Sequence, residues 1–137
     1  MKIFLDANIL VSVFNKEYPL FSYSSRILSL VDNSKFKVYT SPICLAIAFY
    51  FAEKKSGHEK AKEKIKLLVS KIEIADADGN VVMKAANDKT ISDYEDGLEY
   101  YSALQAGCKC IITEDTNDFH FSKIEVLRAQ QFLETYL

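Results

Sequence analysis

Four aspartates have the residue type and the placement for binding a divalent metal ion. Asp6 directly follows a short apolar segment, and Asp96 lies within a helical segment. Asp115 and Asp118 follow a second apolar segment later in the chain. Carboxylates that share one site repel one another unless a cation offsets the repulsion, and hard oxygen ligands favour Mg²⁺ or Mn²⁺ over zinc. If the fold brings the four side chains together, a divalent metal site is predicted.

Each of these acids also has a simpler explanation. Asp6 precedes a helical segment and could be only an N-cap. Asp93 is better interpreted as a cap, or as an acid favoured by the helix dipole, than as a ligand. Asp115 and Asp118 could stabilise a turn through their own side chains. Asp96 is predicted one turn inside its helix, where Asp is an unfavourable residue. The joint placement of the acids, and no single one of them, favours a metal site.

The segments that must position these side chains alternate between strands and helices. Strands are predicted at 2–5, 36–40, 72–74, 110–113 and 124–127. Helices are predicted from 8 to about 17, over 24–31, 42–55, 58–70 and 81–86, from Ser92 or Asp93 to 106, and at the C-terminal end. This order predicts an α/β fold in which helices cover both faces of a mainly parallel sheet, with the first strand in its centre. Ligands of such sheets bind beyond the carboxyl ends of the strands, where Asp6 and Asp115 fall.

Length and composition indicate one globular domain over residues 1–137. Hydrophobic residues make up 49% of the chain and charged residues 26%. The formal net charge of −2 gives no basic surplus, which counts against tight, non-specific nucleic-acid binding. An enzyme that contacts only a few phosphates does not need such a surplus. Lysines concentrate between Lys54 and Lys66, where a solvated helix face is the preferred interpretation and contact with RNA phosphates the alternative.

The cysteines and the first residues indicate a cytoplasmic protein. Cys44, Cys108 and Cys110 are an odd number in a chain with few loops, which predicts reduced thiols. One residue between Cys108 and Cys110 is too short a spacing for the usual zinc pair. The first segment is predicted to be a strand, and it has the features of neither a signal peptide nor a membrane span.

Three segments, taken in order, resemble the motifs of the PIN-domain family. They are 6–10 (DANIL), 96–104 (DGLEYYSAL) and 111–119 (IITEDTNDF). The likeness extends over nearly the whole chain and includes the Thr40-Ser41-Pro42 entry to a long helix. A receiver-like domain also gathers acids at one sheet edge, but it needs a lysine after a late strand, where this chain has Glu114 and Asp115. The resemblance therefore implies a three-layer PIN-like domain.

The resemblance also implies a function and a set of site residues. Small prokaryotic PIN domains are metal-dependent ribonucleases, and many are toxins of the virulence-associated toxin–antitoxin type. Expected here are an RNA substrate, Mg²⁺ or Mn²⁺, an antitoxin partner and a homodimer formed through the surface near 49–51 or the C-terminal helix. The implied metal ligands are Asp6, Asp96 and Asp115, with Asp118 as an alternative or an addition. Asn8 and Thr113 would orient these carboxylates.

One position departs from the family pattern. The family usually places a Glu about one turn into the helix that follows Thr-Ser-Pro, and Ile47 stands there instead. Glu53 is about 9 Å further along the helix axis, which is too far for a simple replacement. Glu95 or Asp93 could compensate from another helix. Two hypotheses follow: a ribonuclease with an incomplete acidic set, or a catalytically weakened or inactive domain that binds RNA or protein.

Overall fold

Strand β1 (Lys2–Leu5) forms the centre of a five-stranded sheet in the computed structural model, which describes residues 1–137. The other strands are β2 (Lys37–Thr40), β3 (Glu73–Ile74), β4 (Cys110–Ile112) and β5 (Glu125–Leu127). The strand order is β3-β2-β1-β4-β5, and every neighbouring pair is parallel. The prediction of an α/β fold with a parallel sheet and a central first strand is confirmed.

Helices cover both faces of this sheet, and the composition of the inner strands reflects that. Ile3, Phe4 and Leu5 have no exposed surface, and neither have Ile111 and Ile112. A strand of a parallel sheet is buried on both sides, so consecutive apolar residues are favoured over an alternating pattern. The polar side chains that such strands carry are therefore confined to their ends, which places Asp6 and Thr113 at the carboxyl edge of the sheet.

Seven α-helices pack around the sheet. They are α1 (Ala7–Phe14), α2 (Leu20–Leu28), α3 (Pro42–Ser56), α4 (His58–Val69), α5 (Gly79–Asn87), α6 (Tyr94–Gln105) and α7 (Ala129–Tyr136). Short 3₁₀ segments follow α2 at Ser29–Asp32 and β4 at Thr116–Phe119. The helix predicted over 24–31 begins earlier, directly after Pro19, because proline is compatible with the start of a helix. None of the helices combines the length and the apolar content that crossing a bilayer would need.

Capping residues fix where the helices next to the acidic edge begin. Ser41 caps α3, with its hydroxyl oxygen 3.3 Å from the Cys44 amide nitrogen, and Pro42 takes the first helical position as predicted. Asp93 caps α6, because its carboxylate accepts a hydrogen bond of 2.9 Å from the Glu95 amide. Asp96 consequently lies in the first turn of α6, three residues after the cap and so past the capping position, as predicted. In the first turn an acid is also favoured by the helix dipole.

Candidate metal centre

An acidic cavity of about 440 Å³ opens beyond the carboxyl ends of β1 and β4. Its wall contains no Lys, Arg or His, and the four aspartates picked out in the sequence all line it. The acids of the wall are eight: Asp6, Glu17, Asp93, Glu95, Asp96, Glu99, Asp115 and Asp118. The fold thus places acids from distant parts of the chain around one space, with no basic side chain to offset their repulsion.

Asp6 is both the cap of α1 and a member of this cluster. Its side chain is buried, with 8% of the residue exposed. Oδ1 accepts a hydrogen bond of 2.6 Å from the Ala7 amide, which is the capping contact. Oδ2 accepts a hydrogen bond of 2.8 Å from the Thr113 hydroxyl at the end of β4. The Asp6 carboxylate therefore caps α1 with one oxygen and joins the acidic cluster through the other.

Asn8 and Thr113 connect Asp6 to Asp115. The Asn8 amide nitrogen donates to Thr113 Oγ1 at 2.9 Å and lies 3.3 Å from both Asp6 Oδ2 and Asp115 Oδ2. The Thr113 hydroxyl oxygen also accepts a hydrogen bond of 3.1 Å from the Asp115 backbone amide. The Asn8 carbonyl oxygen accepts from the Glu114 amide at 3.1 Å. This network holds the start of α1 against the loop after β4 and limits the positions available to both carboxylates.

The negative charges of the surrounding acids make ionisation of Asp96 less favourable. Partial burial, followed by the charges of Asp93, Asp118 and Asp6, raises the pKa of Asp96 to about 7. The pKa of Asp6 is also raised, chiefly by burial. Desolvation and like charges both disfavour ionised carboxylates, and a bound cation would reverse the second effect. Carboxylates crowded in this way are those that a cation would stabilise in the ionised form.

Glu99 belongs to the cluster and was missed by the sequence interpretation. It lies one turn after Asp96 on α6, and only 1% of the residue is exposed. Its Oε1 accepts a hydrogen bond of 2.8 Å from the Cys44 thiol of α3. One potential ligand atom from each of Asp6, Cys44 and Glu99 lies within 4.8 Å of the other two. Burial, followed by the charge of Asp6, raises the pKa of Glu99 to about 10.

The three-residue spacing between Asp96 and Glu99 was a sequence signal that could have identified Glu99 as part of the cluster. Side chains three positions apart on a helix lie on the same face, so a carboxylate at 99 accompanies one at 96. The sequence alone did not distinguish a buried Glu99 from a solvent-exposed one, because that depends on how closely α3 approaches α6.

Helix α3 contributes no acid to the cavity. Its two residues in the wall are Ile47 and Phe51. Glu53 lies outside the wall, where its Oε2 is 3.0 Å from Nδ1 of His58. Asp93 and Glu95 do line the cavity, but both are exposed at its mouth. The carboxylates at the bottom of the cavity therefore come from the end of β1 and from α6.

The donor set fits a hard divalent cation. Its potential ligands are carboxylate oxygens, which suit Mg²⁺ or Mn²⁺. The one thiol nearby is a poor ligand, because burial raises the pKa of Cys44 well above its ordinary value and keeps the sulfur protonated. Cys108 and Cys110 are buried and unpaired as well.

Comparison with known proteins defines the class. The family model of the PIN domain matches residues 2–117, so the chain belongs to the PIN-domain family, and the resemblance found in its motifs is confirmed. It is 32% identical to Ribonuclease VapC1 of Aquifex aeolicus (strain VF5), in an alignment that covers 98% of this chain and 95% of that protein.

Solved structures share the fold. VapBC2 from Rickettsia felis, bound to a DNA fragment from the promoter, superposes with a TM-score of 0.70 at 23% identity, covering 93% of this chain and 98% of that one. VapBC-1 from nontypeable Haemophilus influenzae gives a TM-score of 0.71 at 17% identity, with 95% and 99% covered. At these identities the likeness establishes the architecture.

Proposed function

We propose that this protein is a metal-dependent endoribonuclease that acts as the toxin of a toxin–antitoxin pair in the cytoplasm. The observation that carries the proposal is the acidic cavity at the carboxyl edge of the sheet, which has the donors for a divalent cation and no basic group. Ribonuclease VapC1, to which the chain is similar over nearly its full length, bears the name of a ribonuclease. The mildly acidic net charge of −2 suits an enzyme that contacts a few phosphates and releases its product.

Asp6, Asp96 and Asp115 would hold Mg²⁺ or Mn²⁺, with Asp118 as a further acid at the rim. A bound ion would supply Lewis-acid polarisation of the scissile phosphate and a lowered pKa for the attacking water. Asn8 and Thr113 restrain two of these carboxylates through the hydrogen bonds described above, so little conformational entropy remains to be lost when a ligand binds.

A second candidate is a catalytically weakened or inactive PIN domain that binds RNA or protein. The apolar contribution of α3 to the cavity, through Ile47 and Phe51, favours this alternative. The two candidates make opposite predictions for RNA cleavage, so one assay separates them.

The purified protein should cut a mixed RNA pool only when a divalent cation is present. Chelation with EDTA should stop the cleavage, and an excess of Mn²⁺ should restore it, because uncompensated carboxylates repel the phosphate backbone. Mapping the labelled fragment ends would show internal cuts. Cleavage that continues in EDTA would contradict a metal-dependent site, and a complete lack of cleavage with Mn²⁺ would favour the binding-module alternative.

The proposed antitoxin partner fits a second surface, an apolar groove of about 430 Å³ between α1, α2 and α4. Leu67, 62% exposed, lies in it beside Phe14 and Leu28. Lys16, Lys64 and Lys71 also line the groove, against one acid, Asp32.

The charges around this groove favour an acidic partner segment. Burial and the charge of Lys55 lower the pKa of Lys64, and no carboxylate pairs with any lysine of the groove. A segment that carries both apolar and acidic side chains would cover Leu67 and offset these charges. The structural likeness to VapBC2 and VapBC-1 supports a protein partner for this chain. We therefore assign the groove to an acidic, apolar segment of the antitoxin.

Light scattering should give a mass of about twice 15.6 kDa for the protein alone, and a larger complex after co-expression with an antitoxin encoded beside it. Leu67→Asp and Lys71→Glu should each abolish that complex while the dimer persists, because the surfaces proposed for the dimer lie elsewhere, near Phe51 and Leu137. A monomer at high concentration would refute the dimer. A complex that survives both substitutions would refute the groove assignment.

A further inference from the structure

We infer that Glu99 supplies the fourth carboxylate of the metal site and occupies the space that an acid on α3 would otherwise fill. This inference rests on the proposed metal-binding function. It starts from a feature that the ligand set Asp6, Asp96 and Asp115 leaves unexplained, which is a carboxyl group with 1% exposure at the bottom of the cavity.

Position along two helices supports this role. Glu99 follows Asp96 by three residues, so both side chains leave α6 on one face and reach the same cavity. The opposite wall is α3, where Cys44 and Ile47 are also three residues apart and share a face. The Glu99 carboxyl contacts α3 at Cys44, one turn before Ile47. It thus lies in the part of the cavity to which a longer acidic side chain at position 47 would extend.

A purely structural role for Glu99 is poorly supported by its surroundings. No basic side chain lines the cavity to neutralise the carboxyl, which accepts a hydrogen bond from the Cys44 thiol and lies within 4.8 Å of another acid, Asp6. Burying a carboxyl among acids costs free energy that a leucine or glutamine at this place would not cost. A divalent cation shared with Asp6 would remove that cost, because it would neutralise both carboxylates and accept their free lone pairs.

Calorimetric titration with Mn²⁺ at constant neutral pH tests the inference without any need for catalysis. Glu99→Gln keeps the size of the side chain and an oxygen that can accept the Cys44 hydrogen bond, but it removes the charge. We expect the Mn²⁺ affinity to fall at least about tenfold, as for other losses of groups that hold a metal. Glu95→Gln, at the mouth of the same cavity, is measured for comparison, and the charge-matched control is Glu63→Gln on α4, an exposed acid outside the cavity that should leave the affinity unchanged. The double variant Ile47→Glu/Glu99→Gln should recover most of the lost affinity.

The possible results separate the inference from the proposal on which it rests. If the wild type binds no Mn²⁺, or if Asp96→Asn binds it as well as the wild type does, the metal site itself is refuted. If the wild type binds Mn²⁺ and Asp96→Asn does not, unchanged affinity in Glu99→Gln overturns the role of Glu99 alone. Loss of affinity in Glu95→Gln instead of Glu99→Gln would assign the fourth acid to Glu95. A double variant that recovers no affinity would overturn the placement opposite Ile47.

Discussion

Asp96→Asn should lower Mn²⁺-dependent RNA cleavage by about a hundredfold or more, since it removes charge from a group that is proposed to hold the ion directly. Asparagine preserves the shape of the side chain and its position in the first turn of α6. The change in charge is the main difference, and its effect is large because Asp96 shares the cavity with Asp6, Asp115 and Asp118. Initial rates on a labelled RNA pool, measured at several Mn²⁺ concentrations, would show whether excess metal partly restores cleavage.

Three comparisons make this experiment decisive. Asp76→Asn changes an exposed acid outside the cavity and should leave the rate unchanged. Asp96→Asn should be at least as stable as the metal-free wild type, because the raised pKa of Asp96 means that its ionised form opposes folding. Equal cleavage by the wild type and Asp96→Asn would indicate a contaminating nuclease. Cleavage by Ile47→Glu but not by the wild type would show that the natural protein is the weakened form.

The fold could be predicted because its signals are local. Buried strands such as β1 and β4 are short apolar runs, and capping residues such as Ser41 mark where the helices begin. The alternating order of strands and helices leaves few arrangements other than a parallel sheet. Boundaries were less accurate, as α2 shows, because it was predicted over 24–31 and extends over Leu20–Leu28. For α6 the sequence offered Ser92 or Asp93 as the cap, and the hydrogen bond from the Glu95 amide to Asp93 identifies Asp93.

The sequence pointed to Asp6 and Asp115 at the candidate site but not to Glu99, and this contrast has a physical reason. Asp6 and Asp115 follow strands, and the carboxyl ends of neighbouring parallel strands must meet at one edge. Glu99 had no such constraint, because its burial depends on the packing of α6. Gly97 shows the same dependence on packing at another face of α6, since a Cβ atom at this position would lie 3.1 Å from the Ile91 side chain. The sequence shows that a glycine is present but does not show which residue packs against it.

The stability of the metal-free protein should fall as the pH rises from about 6 to about 8.5. The pKa of Glu99 is raised from an ordinary value of 4.5 to about 10, and that of Asp96 from 3.8 to about 7. Over this interval the folded protein holds protons that the unfolded chain has already lost. Each increase in pH therefore favours the unfolded chain. Asp78 and Asp88, whose pKa values are lowered, are ionised in both states over this range and do not contribute.

Over this pH interval Glu99 makes the folded protein hold about one proton more than the unfolded chain does. Solvent screening reduces the contribution of the partly exposed Asp96. We expect the free energy of unfolding to fall by about 1 kcal/mol per pH unit, which lowers the Tm of a domain of this size by about 3 °C. Thermal unfolding in EDTA, followed by circular dichroism, measures this slope. Glu99→Gln lacks this titrating carboxyl and should give a much shallower profile, whose remaining slope near pH 6 to 7 comes from Asp96. Saturating Mn²⁺ should stabilise the wild type most at the upper end of the range, where more carboxylates are ionised, by about 2.7 kcal/mol at a hundredfold excess over Kd. A wild-type Tm that stays constant or rises with pH in EDTA would show that the Glu99 carboxyl is ionised in the folded protein without metal.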